Sequence, residues 1–375
     1  MKILPHSIPV IFIITLTLGF GLMISGVEVG STGVENRKLS PHPLSKPLHW
    51  NDSSGVFDFL KSMVGSVSDR KKDFHSYYKD HFPFKEKVFR GYAVLQEGAF
   101  NCNPLPGRVV KGMNNWLFLG DDYSAVIRES KGMKTFTPEE TGLLRANLKT
   151  LSDYFKSQGV EFYIAVARNK HSVYGDSLPI RKAGPTTLDQ FKAVAREVGV
   201  PIIDFGDQYS SHTDQRLYHK RDSHWNDWGA FWGYIALMNQ LNEKFDSLPL
   251  IRRSELLETP AQLAHPGLSR MLNRDSPEPY LALRSANAKA VKSPPSAKKI
   301  TRYFSPAGEL KLMMWCDSFG EDIEKFISES FGESVFIFSY KLDPEMIKRE
   351  KPDIVVQEVV ERKFDIYTRQ RLILE

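Results

Sequence analysis

The stretch "KRDSHWNDWGA", residues 220–230, sets an acid and an imidazole two positions apart at Asp222 and His224. In an extended segment, side chains two apart point to the same side, so both can face one cleft. In a helix they would diverge. An acid on one ring nitrogen leaves the other free to take a proton from a hydroxyl, which is general-base chemistry for a serine nucleophile. A serine placed for that role stands in "WCDSFGED". Ser318 comes just after the apolar run "LMMWC" and just before a helix expected to begin near Gly320. A hydroxyl on such a strand-to-helix turn is exposed, with the helix's first N–H groups aimed at whatever it binds. Taken alone, Ser318 also reads as a common helix N-cap.

A third polar group, Asn169, Lys170 and Tyr174 in "VARNKHSVYGDSLP", follows a run that ends at Ala167. An amide or ammonium there can bind a developing oxyanion or a sugar hydroxyl. Ordinary turn chemistry accounts for each of these residues equally well. His212, His219, Asp222 and His224 gather in one stretch, but their spacing fits no zinc pattern and no HExxH is present, so no metal is expected. Trp225 and Trp228 read as packing residues rather than sugar platforms.

The elements that must position these groups follow a regular alternation. "TPEETGLLRANLKTLSDYFKSQG" carries a capping box from Thr137 to Glu140, an apolar stripe through Leu144, Leu148, Leu151 and Phe155, and a terminating Gly159. The continuous apolar run "VEFYIAVA" is a strand buried on both faces. Helix "TTLDQFKAVAREVG" and strand "VPIIDF" come next, and Asn226 is placed to cap a helix over "DWGAFWGYIALMNQLNEKF". Later the pattern resumes as strand "LMMWC", helix "EDIEKFISESFG", strand "SVFIFS", helix "DPEMIKREK" and strand "DIVVQEVV". Strands alternating with helices predict an α/β fold, with a mainly parallel sheet covered on both faces. In such sheets ligands sit beyond the carboxyl ends of the strands, where all three polar groups fall. "RVVKGMNNWLFLGDD" reads as a hairpin with an Asn-Asn turn, and residues 56–98 as helices broken at Pro83. Residues 246–310, rich in Pro, Ser and basic side chains, look like an irregular insertion.

Over 375 residues the apolar fraction of 41% and charged fraction of 25% are those of a globular protein with a substantial core. The net charge of +5 is spread along the chain without dense Lys/Arg blocks, which excludes a nucleic-acid partner. Two cysteines make no disulfide framework, and Cys102 in a loop has no reason to meet Cys316 at a buried strand end. From Ile8 to Val27 the sequence carries no charge over a length that spans a bilayer, and its exit is a poor cleavage site. Residues 1–27 are therefore expected to be an uncleaved membrane anchor, with 28–55 a polar tether and 56–375 an extracytoplasmic domain.

Several stretches in shared order resemble the periplasmic alginate O-acetyltransferases and related exopolysaccharide acetylation proteins. These are "YYKDHFPFKEKV", "NNWLFLGDD", "RNKHSVYGDSLP", "YHKRDSHWNDWGA", "GLSRML", "CDSFGED" and "KPDIVVQEVVER", together covering roughly residues 70–365. The resemblance implies an SGNH-hydrolase-like fold in which the Asp-x-His motif precedes the serine motif. It places Asp222, His224 and Ser318 on a catalytic triad and adds Glu358 and Arg362 to Asn169, Lys170 and Tyr174 as oxyanion or substrate-binding candidates. It further implies a polysaccharide acceptor, acetyl delivery by a multi-spanning membrane acyltransferase, a location at the periplasmic face of the inner membrane, and no cofactor. A carbohydrate acetyl esterase and a non-catalytic polysaccharide-binding protein are the alternatives. The family's serine motif usually begins with glycine where this chain has Cys316, whose side chain would crowd the turn if it pointed toward the oxyanion hole.

Overall fold

The computed structural model describes residues 71–77, 85–245, 248–274, 276–294 and 299–374. The expected anchor, the tether and the break at Pro83 lie outside them. Among the described residues no helix is long and apolar enough to cross a membrane. The chain divides into two units, Met1–Cys102 and Asn103–Glu375. In the first unit residues 71–77 are helical and α1 spans Lys85–Phe100.

The second unit opens with β1 (Val109–Lys111) and β2 (Leu117–Leu119), paired antiparallel with Val109 opposite Leu119. Their turn holds Asn114 and Asn115 at φ 53° and 62°, a left-handed conformation that asparagine accepts more readily than most residues. The capping box from Thr137 to Glu140 starts α2 (Pro138–Gln158), which Gly159 ends at φ 67°. Then follow β3 (Glu161–Ala167), α3 (Thr187–Val198), β4 (Ile202–Asp204) and α4 (Asp227–Asn242). The rest of the chain supplies β5 (Leu256–Leu263), β6 (Glu278–Ser285), β7 (Val291–Lys292), β8 (Ile300–Phe304) and β9 (Lys311–Cys316). It ends with α5 (Gly320–Ile327), β10 (Glu333–Phe338), α6 (Pro344–Glu350) and β11 (Ile354–Val360).

Seven strands form one sheet in the order β4-β3-β11-β9-β10-β8-β7. The five on one side are mutually parallel, while β8 runs antiparallel to β10 and β7 antiparallel to β8. Period-two alternation divides the core between the two faces. Tyr163, Ala165, Leu312, Met314, Ile354 and Val356 pack with buried residues of α4 and α5. Phe162, Ile164, Met313, Trp315, Val355 and Val359 pack with those of α2, α3 and α6. Trp225 and Trp228 are buried in the first of these clusters, as packing residues.

Residues 246–310 correct the expectation of an irregular insertion. They contain the antiparallel ribbon β5–β6, and β7 and β8 extend the central sheet. The signal is weak because β5 is largely exposed on both sides and carries Pro260, so it shows little alternation. Both cysteines are free, Cys102 exposed and Cys316 buried.

Asn226 ties the start of α4 to the loop before it. Its side-chain oxygen accepts the N–H groups of Trp228 (3.1 Å) and Gly229 (3.2 Å), and its amide donates to the Arg216 carbonyl at 2.6 Å. Asn226→Ala is expected to cost about 2 kcal/mol, roughly half from the lost cap and half from the bond to Arg216. Chemical denaturation measures this, and a loss under ~0.5 kcal/mol would show that the cap is dispensable.

Candidate active site

Asp222 and His224 do not lie in an extended segment. Residues 219–224 form a bent loop closed by a bridge between Tyr218 and Trp225, with the Asn226 N–H donating to the Leu217 carbonyl at 2.9 Å. The two side chains meet because the loop turns on the aspartate itself. Asp222 Oδ1 accepts both the His224 backbone N–H (3.0 Å) and ring Nδ1 (2.7 Å), an Asx-type turn that fixes tautomer and orientation together. The Gly267 N–H donates a short hydrogen bond to Asp222 Oδ2. Burial works against the Asp222 charge, but the bonds from His224 and Gly267 outweigh it and hold the carboxyl well below the usual carboxylate range. With Nδ1–H given to the acid, Nε2 is the basic nitrogen. It lies 2.7 Å from Ser318 Oγ.

Ser318 is half-buried on the turn between β9 and α5. The N–H groups expected to face a ligand are partly spent on Asp317: that of Phe319 on its carboxylate (2.8 Å) and that of Gly320 on its carbonyl (3.0 Å). Asp317 also receives the Tyr340 hydroxyl (2.7 Å) and the Val360 N–H (3.2 Å), which pins the turn to the ends of β10 and β11. The Ser318 N–H is not one of those spent on Asp317.

The structure distributes the remaining candidates among distinct tasks. Asn169 is 1% exposed, and its Oδ1 accepts from Arg362 Nη1 at 3.0 Å. That bond fixes the amide orientation and leaves Nδ2 as a buried donor without a partner among the described residues. Arg362 lies 5.5 Å above the Phe319 ring, and Phe319 in turn packs 4.9 Å from the His224 ring. Asn169 and Arg362 therefore belong to the surroundings of Ser318. Lys170 stands behind the loop. Its ammonium donates to the carbonyls of His219 (2.9 Å), Lys220 (3.2 Å) and Asp222, and burial pushes its pKa down to about 7. All three donors are thus spent on the backbone that carries Asp222. The Tyr174 hydroxyl accepts the Leu217 N–H at 2.8 Å and its ring stacks on Trp116 at 4.2 Å, so it too braces that loop. Glu358 is fully buried and accepts the Asp317 N–H at 2.9 Å. The clustered histidines separate: His212 stacks on Trp232, and His219 lies 3.7 Å from Glu278.

Sequence reasoning missed several supports. Glu278, buried on β6, accepts the N–H groups of Lys220 (2.7 Å) and Arg221 (2.8 Å). Glu361, also buried and pushed up to about 7 by its burial, accepts the Asn169 N–H at 2.9 Å and the Ser172 hydroxyl. Gly267 stands in "GLSRML", which marked family likeness but no chemistry.

Cys316 is buried at the end of β9. Its side chain fills the space beside the Gly320 Cα, where a β-carbon would lie 2.5 Å from the sulfur. A side chain at 316 and its absence at 320 therefore compensate for each other. Gly320→Ala is expected to cost about 1–3 kcal/mol through overpacking, and Cys316→Gly about 1 kcal/mol. The double variant should recover part of the sum, with a coupling of about 1 kcal/mol or more in a four-protein denaturation cycle. Strict additivity would show that the two positions do not compete for space.

The fold has counterparts among known proteins. PatB1 of Bacillus cereus, solved with a sulfonyl adduct, superposes with a TM-score of 0.54 at 18% identity, covering 68% of this chain and 94% of that one. The O-acetyltransferase domain of Pseudomonas putida AlgJ gives 0.46 at 16% identity, covering 71% and 94%. AlgX of Pseudomonas aeruginosa gives 0.45 at 16%, covering 68% and 62%. Among curated protein sequences none matches significantly. The profile of the SGNH hydrolase-like domain of the acetyltransferase AlgX matches residues 109–341, well over half of the chain, and the protein therefore belongs to that family.

Proposed function

We propose that the protein is a serine-dependent O-acetyltransferase that carries an acetyl group on Ser318 and passes it to a hydroxyl of an extracytoplasmic polysaccharide. The observation that carries this reading is the unbroken chain from Asp222 through His224 to Ser318, with 2.7 Å at each link. In the first half-reaction Ser318 Oγ bonds to the acetyl carbonyl carbon while His224 Nε2 takes the hydroxyl proton. The carbonyl electrons move onto oxygen, and the N–H of Ser318, with the Asn169 amide as second candidate, is available to that oxyanion. Collapse breaks the bond to the donor's leaving group, which takes the proton from His224. In the second half-reaction His224 deprotonates the acceptor hydroxyl, that oxygen attacks the acetyl-serine, and Ser318 leaves with the proton returned. Asp222 stays ionised throughout and stabilises the imidazolium.

The family resemblance and the uncharged run Ile8–Val27 support the setting. In it, a multi-spanning membrane acyltransferase supplies the acetyl group to a protein anchored at the periplasmic face of the inner membrane. One observation favours hydrolysis as a competing reaction. The His224 side chain remains 32% exposed, so water reaches the base unless the glycan covers it.

Incubating the purified protein with a chromogenic acetyl ester, with and without a soluble glycan, separates the outcomes. Acetyl transfer to glycan supports the transferase, release to water alone the esterase, and silence a binding protein. Ser318→Ala and His224→Ala are each expected to lower kcat by roughly 10⁴-fold or more, and removing both should cost little beyond either alone. Asp222→Asn should lose less, by roughly one to two orders of magnitude. Unaltered turnover in Ser318→Ala would overturn the assignment.

A further inference from the structure

Two carboxyl groups meet beneath the Ser318 turn, and their surroundings differ sharply. Asp317 receives three donors, from Phe319, Tyr340 and Val360. Glu358 accepts the Asp317 N–H on Oε2 and stands beside the Asp317 carboxyl, while its Oε1 is buried with no partner among the described residues. A fully buried oxygen bearing half a negative charge and accepting nothing would carry the whole desolvation cost unrelieved. A neutral carboxylic acid costs far less to bury, and its O–H has the Asp317 carboxyl beside it as an acceptor.

We propose that Glu358 is a positioning residue that works as an uncharged carboxylic acid. It holds the Asp317–Ser318–Phe319 turn through the Asp317 N–H and leaves the Arg362 guanidinium to Asn169 and to the face of Phe319.

The charged and titratable groups whose fields reach Glu358 explain why its charge matters. From the turn come Asp317 and the Cys316 thiol, and from the loop after β10 comes the Tyr340 hydroxyl. Tyr367 and Arg362 approach from beyond β11, and a β-carbon at Gly320 would come within 3.8 Å of Glu358 Oε2. Arg362 is the cation among them. Burial first and the Asp317 charge second push the Glu358 carboxyl well above its ordinary value. An ionised Glu358 would repel Asp317 and compete for Arg362, the group that orients the Asn169 amide at 3.0 Å. Protonation thus keeps the nucleophile turn and the Asn169 donor in register.

This inference rests on the proposed acetyl-serine chemistry for its kinetic arm, and a spectroscopic arm stands apart from it. Infrared difference spectra of the full protein at neutral pH should contain a protonated-carboxyl C=O band that Glu358→Gln removes. A wild-type spectrum without that band overturns the proposal even if Ser318 proves catalytic. In acetyl-ester turnover Glu358→Gln, isosteric and neutral, should stay within about threefold of wild type. Glu358→Ala should lose roughly 10²-fold in kcat with little change in KM, the size of one misplaced oxyanion donor. Loss in Glu358→Gln as deep as in Glu358→Ala would mean that a carboxylate is needed, and wild-type kcat in Glu358→Ala would reduce Glu358 to packing. Should Glu358→Ala fail to fold, the infrared band and Glu358→Gln decide the matter alone. Failure of the function itself would appear separately, as Ser318→Ala retaining full turnover.

Discussion

The 2.7 Å hydrogen bond between His224 Nε2 and Ser318 Oγ joins two parts of the chain 94 residues apart, and a set of polar contacts from other elements holds its two ends. Such a bond is worth little in isolation, because water offers the same partners to an unfolded chain. What it requires is that neither end can relax away. The histidine end is a loop without regular structure, so its shape comes from groups outside it. Lys170 collects three of its carbonyls, Glu278 two of its amides, and Gly267 closes on Asp222. The serine end is held differently, by Asp317 reaching across to the ends of β10 and β11.

The scaffold was legible because its signals are local. A capping box, a glycine in the left-handed region and a continuous apolar run each depend on a few neighbouring residues, and α2, β3 and α3 appear where those signals put them. The hydrogen-bonded chain was legible because Asp222 and His224 stand two apart in sequence and Ser318 follows a strand. Its supports were not. Glu278 lies 57 residues from Arg221 and Gly267 lies 45 from Asp222, and no periodicity connects them. Lys170 looked like a substrate donor because a lysine after a strand usually reaches solvent; here the fold draws it inward under Trp116 and Phe118. The ribbon β5–β6 was illegible for a further reason, since an exposed two-stranded element has no buried face to stamp a pattern on its sequence.

The departure from glycine at position 316 is accommodated by a neighbouring residue. Glycine in a nucleophile turn is commonly explained by backbone freedom, which would make any substitution harmful. In this chain Cys316 ends β9 in regular parallel register with Phe338, so the strand asks for no unusual torsion there. The constraint is steric and has moved four residues on, to Gly320, whose missing side chain makes room for the thiol. What the turn needs is one small residue of the two.

Concentrating buried ionisable groups at one rim of the sheet has a thermodynamic signature that differs from simple acid denaturation. Glu361, raised to about 7, binds its proton more tightly in the folded than in the unfolded chain. Its favourable contribution is complete below the ordinary glutamate value and is lost as pH rises toward 7. Lys170, lowered to about 7, has the opposite history: between 7 and its ordinary value the unfolded chain holds a proton that the folded one has released. Its burial therefore weighs least on stability at high pH and most below 7. Added together, these two groups place their greatest cost near neutrality, where both would carry charge if unfolded. Asp222, depressed by His224 and Gly267, works the other way, contributing above the ordinary aspartate value and losing that contribution as pH falls through its lowered one. A fold optimised for stability alone would have no use for a buried lysine and a buried glutamate that both titrate near 7. Here each holds backbone beside the His224–Ser318 bond, Lys170 through the carbonyls of the Asp222 loop and Glu361 through the N–H of Asn169.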